Sequence, residues 1–316
     1  VFHNPIKSDA SEVYAVCQQP GFHKHALRPF YGSQPVSNVV MGIVHGSSKY
    51  ARDAIEFGLA ELVELGGDHH GAFFFMPNPK YHWNLDDIVT TELGPRLRVV
   101  AWWIHPAFLS NIRAWVAACG KDQLRVADRL LRVADRTRSP SSRMRRPSSD
   151  MLFPSEGQDH ASLGLGAPGD FSYSGVSKPG GYLHTYRDLS GLANLEMLEA
   201  LVAGVGRFVE RILDSGALGS ARLSAGFHYP VRPQYSTLHL QLRVNAGDVC
   251  GSTENRGADL FKLLSRLKAD PDALAQDTEM LHYQVTANLR AAAIAAAREA
   301  GRLKSGIGLR FGARRS

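Results

Sequence analysis

The chain has 316 residues, 44% of them hydrophobic, which is enough to bury one large core or two ordinary ones. A formal net charge of +6 suits an anionic ligand such as a nucleotide or an RNA end, although much of the excess lies in one arginine-rich stretch. The three cysteines (Cys17, Cys119 and Cys250) form no C-x-x-C pair, no apolar run approaches membrane-spanning length, and no basic region leads into an apolar core at the start; these features argue against structural zinc, a membrane span and a signal peptide and favour a reducing compartment.

In chain order, Glu12–Val16 reads as a strand, and residues 18–70 carry no pattern that places them. Residues 97–105 read as an apolar strand. Leu124–Leu130 is repeated almost at once in Leu131–Arg136, two copies being too few for a repeat architecture. Residues 136–150, rich in arginine, serine and proline, hold almost nothing apolar; burial there cannot offset ordering entropy, so a disordered linker is expected, continued by Gly164–Gly181. Leu192, Leu195, Leu198, Leu201, Val205, Phe208 and Ile212 then recur at steps of three and four, the stripe of an amphipathic helix ended near Gly216 and Gly219. Residues 221–229 and 235–244 read as antiparallel strands joined by a proline-containing turn. Leu260–Leu267 reads as a helix stopped near Asp270-Pro271, residues 280–286 as a strand, and Leu289–Arg302 as a closing helix. Together these predict an α+β fold.

Residues 235–244 are the most informative. Alternation puts Thr237, His239, Gln241 and Arg243 on one face and Leu238, Leu240, Leu242 and Val244 on the other. A histidine flanked at i±2 by hydrogen-bonding residues is suited to be an oriented nucleophile, while the same pattern also describes an amphipathic edge strand with one surface histidine.

The surroundings carry a resemblance. Tyr186-Arg187-Asp188-Leu189 precedes the long helix. Phe227-His228-Tyr229-Pro230, Pro233-Gln234-Tyr235, the His239 strand, Asn255-Arg256-Gly257-Ala258-Asp259-Leu260, Leu267-Lys268-Ala269-Asp270-Pro271 and Gln276-Asp277-Thr278 follow in order. Val1-Phe2-His3-Asn4-Pro5 and Pro77-Asn78-Pro79-Lys80-Tyr81 add matches earlier in the chain. This series resembles the scavenger mRNA-decapping enzymes of the histidine triad superfamily. The resemblance implies a histidine-triad-like C-terminal domain over 181–302, an incomplete central region over 1–113 with an unplaced insertion at 18–70, a largely disordered insertion at 114–180, and a basic tail at 303–316. The two insertions raise the expectation that parts of them derive from unspliced or misassembled coding sequence. The family's N-terminal domain, with its cap-stacking tryptophan and base-pairing glutamate, has no counterpart in the sequence.

The implied activity is hydrolysis of the triphosphate bridge of short 5′-capped RNA remnants through a nucleotidyl-histidine on His239. Thr237 and Gln241 stand where the family has its outer histidines, so a weakened enzyme is one expectation and a non-catalytic cap-binding relic another. Gln241 also matches the His-x-His-x-Gln pattern of the nucleotidyltransferase and dinucleoside-polyphosphate phosphorylase branch. Lys80, Gln234, Tyr235 and Arg256 take the places of residues that contact the substrate, and Arg243 adds a charge on the same face. No cofactor or metal is implied; the dispersed histidines (His69-His70, His23, His25, His82 and His105) show no closed-site spacing. The implied partners are a capped oligoribonucleotide or cap dinucleotide and a second copy of the chain, with a location in the cytoplasm and nucleus and no membrane. Trp83 is the candidate for base stacking, and Trp102-Trp103, in an apolar run, reads as core.

Overall fold

A computed structural model describes residues 13–66, 70–85, 88–91, 94–119, 175–213, 221–247, 257–299 and 309–315. Arg256, Cys250, the 124–136 duplication, the 136–150 linker and the helix-ending Gly216 and Gly219 lie outside the described residues.

A six-stranded antiparallel sheet organises the molecule. In spatial order its strands are β2 (Glu61–Glu64), β3 (Ala72–Pro77), β6 (Leu97–Ile104), β8 (His239–Val244), β7 (Leu223–His228) and β9 (Gly257–Asp259). A short ribbon, β4 (Thr90–Thr91) with β5 (Gly94–Pro95), precedes β6. The central strands β3 and β6 are apolar on both faces, as strands covered on two sides must be: every residue of β3 is buried. The α+β class expected from the sequence is the one found.

One face is covered by the long helix Gly191–Ile212. Its stripe buries Met197, Leu198, Leu201, Val205, Phe208, Val209 and Ile212, with the Phe208 ring 5.0 Å from that of Phe75. Leu192, the first residue of the predicted stripe, stays exposed. Gly204 marks the closest approach: a Cβ there would meet Val63 Cγ1 at 2.4 Å, so only glycine lets helix and strand touch. Helix Leu260–Ala269, capped by the Asp259 carboxylate on the Phe261 and Lys262 N–H groups, adds Leu260, Leu263 and Leu267 to the same core.

The segment 18–70, unplaced from sequence, supplies cover on the other face. A π-turn (His23–Leu27) runs into helices Arg28–Ser33, Asn38–Val44 and Lys49–Glu56, which bury Val40, Ile43, Val44, Ala51 and Ile55. Helix Leu109–Cys119 joins them, with Trp115 against Phe74 at 5.8 Å. The helices of this segment span only six to eight residues each, too short a window for their apolar stripes (Tyr50, Ala51, Ala54 and Ile55 in the last) to stand out as a period. Their burial makes the segment part of the core rather than an appendage.

A second sheet pairs β1 (Val13–Gln18) antiparallel with β10 (Leu281–Thr286) and β11 (Leu309–Arg315), beside the closing helix Ala287–Glu299. The basic-tail reading of 303–316 is therefore corrected at Leu309–Arg315, where the chain is a paired strand. The brief apolar alternation of Leu309 and Phe311 is masked in the sequence by arginines. Among the described residues, no helix is long and apolar enough to cross a membrane.

Candidate functional site

The expected strand over 235–244 begins later, at His239. Pro233 opens a 3₁₀ turn over Pro233–Tyr235, and the backbone leaves it through Ser236 at ψ 59°. Thr237 therefore precedes the strand. Its hydroxyl is fully buried against the Tyr182 hydroxyl at 2.8 Å, and it does not share the strand's polar face. What Thr237 offers the site is its carbonyl.

That carbonyl lies 2.8 Å from His239 Nδ1. A carbonyl only accepts, so Nδ1 carries the proton and Nε2 bears the lone pair. Burial pushes the His239 imidazole below its ordinary pKa, against a smaller opposing effect of the Thr237 bond, so the ring is neutral at physiological pH. Nε2 has no hydrogen-bond partner among the described residues. The ring is clamped by Trp102, whose centroid is 4.6 Å away on the neighbouring strand, and edge-on by His228 at 6.2 Å. The register explains both neighbours: Trp102 pairs directly with His239, and His228 continues a strand whose Phe227 pairs with Leu240.

Sequence placed Trp102 and Trp103 together in the core. Both are buried, but alternation sends them to opposite faces. Trp102 roofs His239, and its Nε1 is buried without a hydrogen-bond acceptor among the described residues. Trp103 donates from Nε1 to the His70 carbonyl at 3.0 Å.

Gln241, two residues on, is half-buried on the same face. Asn78 donates from Nδ2 to Gln241 Oε1 at 3.3 Å. With its carbonyl oxygen so occupied, Gln241 has its amide N–H groups left to act as donors. Gly226, opposite Gln241 on β7, adds no side chain and leaves room above it. Asn78 is the residue sequence reasoning underrated. Its importance follows from the sheet order, which sets β3 beside β6 and so brings the end of β3 within reach of β8.

The other candidates are dispersed around this face. Lys80 lies in the turn after β3 with Nζ 5.4 Å from the Tyr81 ring centroid. Tyr235 is half-buried 6.4 Å from Trp102, and Gln234 is exposed on the 3₁₀ turn. Arg243 is half-buried, paired across the strands with Arg98. Trp83 is 77% exposed.

Directly behind the turn lies a second polar cluster that the sequence did not announce. Lys178 Nζ donates to the carbonyls of Tyr31 (2.7 Å) and Ser236 (2.9 Å) and lies 2.7 Å from Ser236 Oγ and 3.2 Å from His184 Nδ1. Burial lowers the Lys178 ammonium to about 7, and the nearby Asp188 carboxylate opposes this. His184 is likewise lowered to about 4, chiefly by burial. Burial alone would raise Asp188, but it is held at about 2 by His23, by His184 and by the Thr185 N–H. The Ser236–Thr237 segment that holds His239 is thus pinned from behind.

Among the described residues, no three His, Cys, Asp or Glu side chains converge to hold a metal ion. No family model matches the chain, and no curated protein matches it in sequence.

Proposed function

We propose that this protein hydrolyses a phosphoanhydride of a capped nucleotide through a covalent intermediate on His239, as its resemblance to the scavenger decapping enzymes implies. One observation carries the reading: the Thr237 carbonyl fixes His239 as the Nδ1–H tautomer, leaving Nε2 as a lone pair with no partner among the described residues, in a ring kept neutral by burial. A nucleophilic imidazole needs all of these features.

In the first step Nε2 attacks the phosphorus attached to 7-methylguanosine, the P–O bond to the rest of the bridge breaks, and a nucleoside diphosphate leaves. Water then cleaves the P–N bond and releases 7-methylguanosine monophosphate, regenerating the imidazole. The amide N–H groups of Gln241, whose oxygen is held by Asn78, supply hydrogen bonds to a non-bridging oxygen as charge develops there. Lys80 adds a positive charge on the β3 side.

A second reading, nucleotide binding without turnover, is favoured by the shielding of His239, which is 8% exposed beneath Trp102. Incubation with methylated cap dinucleotide separates the two. Release of 7-methylguanosine monophosphate by the wild type and not by His239→Asn supports hydrolysis. Saturable binding with no product supports the second reading, and neither product nor binding removes both.

A further inference from the structure

We propose that Trp102 stabilises positive charge on the His239 imidazole through the face of its indole, and so lowers the barrier to forming the covalent nucleotide on that ring. Its part in catalysis rests on the hydrolytic reading above, whereas its effect on His239 is measurable without any substrate.

The charge arises from the chemistry itself. The ring that attacks is neutral, but the ring that results is not. As the Nε2 lone pair forms the P–N bond, the P–O bond to the bridge breaks and its electron pair leaves on the departing phosphate oxygen. Nδ1 keeps its proton, held by the Thr237 carbonyl at 2.8 Å, so the ring carries a positive charge shared by its two nitrogens. In the second step water attacks the same phosphorus and its proton passes to solvent. The P–N electron pair returns to Nε2 and the charge disappears.

That charge forms where burial resists it. His239 is 8% exposed, and burial holds its pKa below the ordinary value against a smaller opposing effect of the Thr237 bond. Among the described residues, no carboxylate makes an ion pair or hydrogen bond with the ring. The flanking positions give little help: Thr237 turns its hydroxyl to Tyr182, and Gln241 is neutral.

Trp102 is what the fold sets against the ring. It pairs with His239 in register across β6 and β8, with ring centroids 4.6 Å apart and planes inclined by 36°. A cation within about 6 Å of an aromatic centroid is attracted to the electron-rich face, most strongly for tryptophan and more so when both partners are desolvated. Both are desolvated here, since Trp102 is 7% exposed. His228, the other ring described against His239, meets it nearly perpendicular at 6.2 Å.

A second observation separates this role from packing. Trp102 Nε1 is buried with no acceptor among the described residues, whereas Trp103, on the opposite face, donates from Nε1 to the His70 carbonyl at 3.0 Å. An unmet buried donor costs stability, so packing alone favours phenylalanine at position 102. What the indole adds over a phenyl ring is the more electron-rich face.

The test is an NMR titration of the His239 ring beside single-turnover kinetics with cap dinucleotide, in proteins carrying progressively fluorinated tryptophans at position 102 alone. Fluorine withdraws electrons from the indole face and barely changes its shape, so the fold is held constant. His239 should titrate lower along the series, and about one pH unit lower in Trp102→Leu, a roughly 10-fold weaker hold on the proton. Release of the nucleoside diphosphate, the step that creates the charge, should slow in the same order, by roughly 10-fold in Trp102→Leu. Hydrolysis of the intermediate, which removes the charge, should not slow. Trp102→Phe should lie between, and the same fluorinated residues at position 103 should leave the His239 titration unchanged.

A His239 titration that does not move along the series overturns the proposal, and product formation that needs His239 then leaves the hydrolytic reading standing. A titration that moves while release of the nucleoside diphosphate does not overturns the part in catalysis. A titration that moves in a protein that forms no product upholds the hold of Trp102 on the ring's charge and removes the hydrolytic reading.

Discussion

Two polar regions flank the Ser236–Thr237 turn and are built in opposite ways. Behind it, the Lys178 ammonium and both Asp188 oxygens are occupied by protein partners. In front, His239 Nε2 and the Trp102 N–H have none among the described residues, and Gln241 has its amide oxygen taken by Asn78, which leaves its N–H groups to act as donors. Unmet hydrogen-bonding capacity in a partly dry site is costly to an empty protein and useful to one that binds a ligand. The contrast separates a network that holds the fold from a face that, on the proposed function, receives the substrate.

Breaking the front region should have the largest effect. His239→Asn is expected to lower product formation by at least about 10³-fold, as loss of a nucleophile does, with an unchanged urea midpoint. Breaking the internal network should do the converse. Asp277 accepts from Arg187 at 2.5 Å and from the Lys24 N–H at 2.9 Å in a buried setting. Asp277→Ala leaves the buried Arg187 guanidinium with only the more distant, half-exposed Glu279 carboxylate at 3.7 Å and should cost about 3–5 kcal/mol in urea unfolding. Gln241→Ala removes a donor to the transition state, so kcat should fall by about 10²-fold with little change in stability.

Acidification sharpens the comparison further. The His184 pKa falls from 6.5 in the unfolded chain to about 4 in the fold, so the folded state binds fewer protons between those values. Stability must then decrease as pH falls from 6.5 towards 4. Asp188, lowered from 3.8 to about 2, extends the loss as pH falls through that interval. Urea midpoints measured across this range should decline in the wild type and decline less between pH 6.5 and 4 in His184→Gln. The smallest effect on rate is expected from Thr237→Val. It breaks the bond to Tyr182 and costs about 1–3 kcal/mol, yet leaves kcat unchanged because the carbonyl that orients His239 remains.

The core elements were legible because periodicity is a local signal. Leu198, Leu201, Val205 and Phe208 announced their helix, and Leu240 and Leu242 their buried strand face. His239 was legible for the same reason, since two-residue alternation alone sets it opposite the leucines. The helices of 18–66 were not, because each spans at most eight residues, too few for an apolar period to stand out. Thr237 was misplaced because the 3₁₀ turn Pro233–Tyr235 and the non-extended Ser236 precede it, which changes which way its side chain points.

The sequence by itself determined the α+β class, the polar face of β8 and the histidine on it. Tertiary structure decided the rest: which strand lies beside β8, hence that Trp102 roofs His239 and Arg98 opposes Arg243, and that Asn78 aims Gln241. Strand order and register join residues more than a hundred positions apart, and no local pattern of side chains encodes that choice; it is made by which faces bury the most apolar surface together.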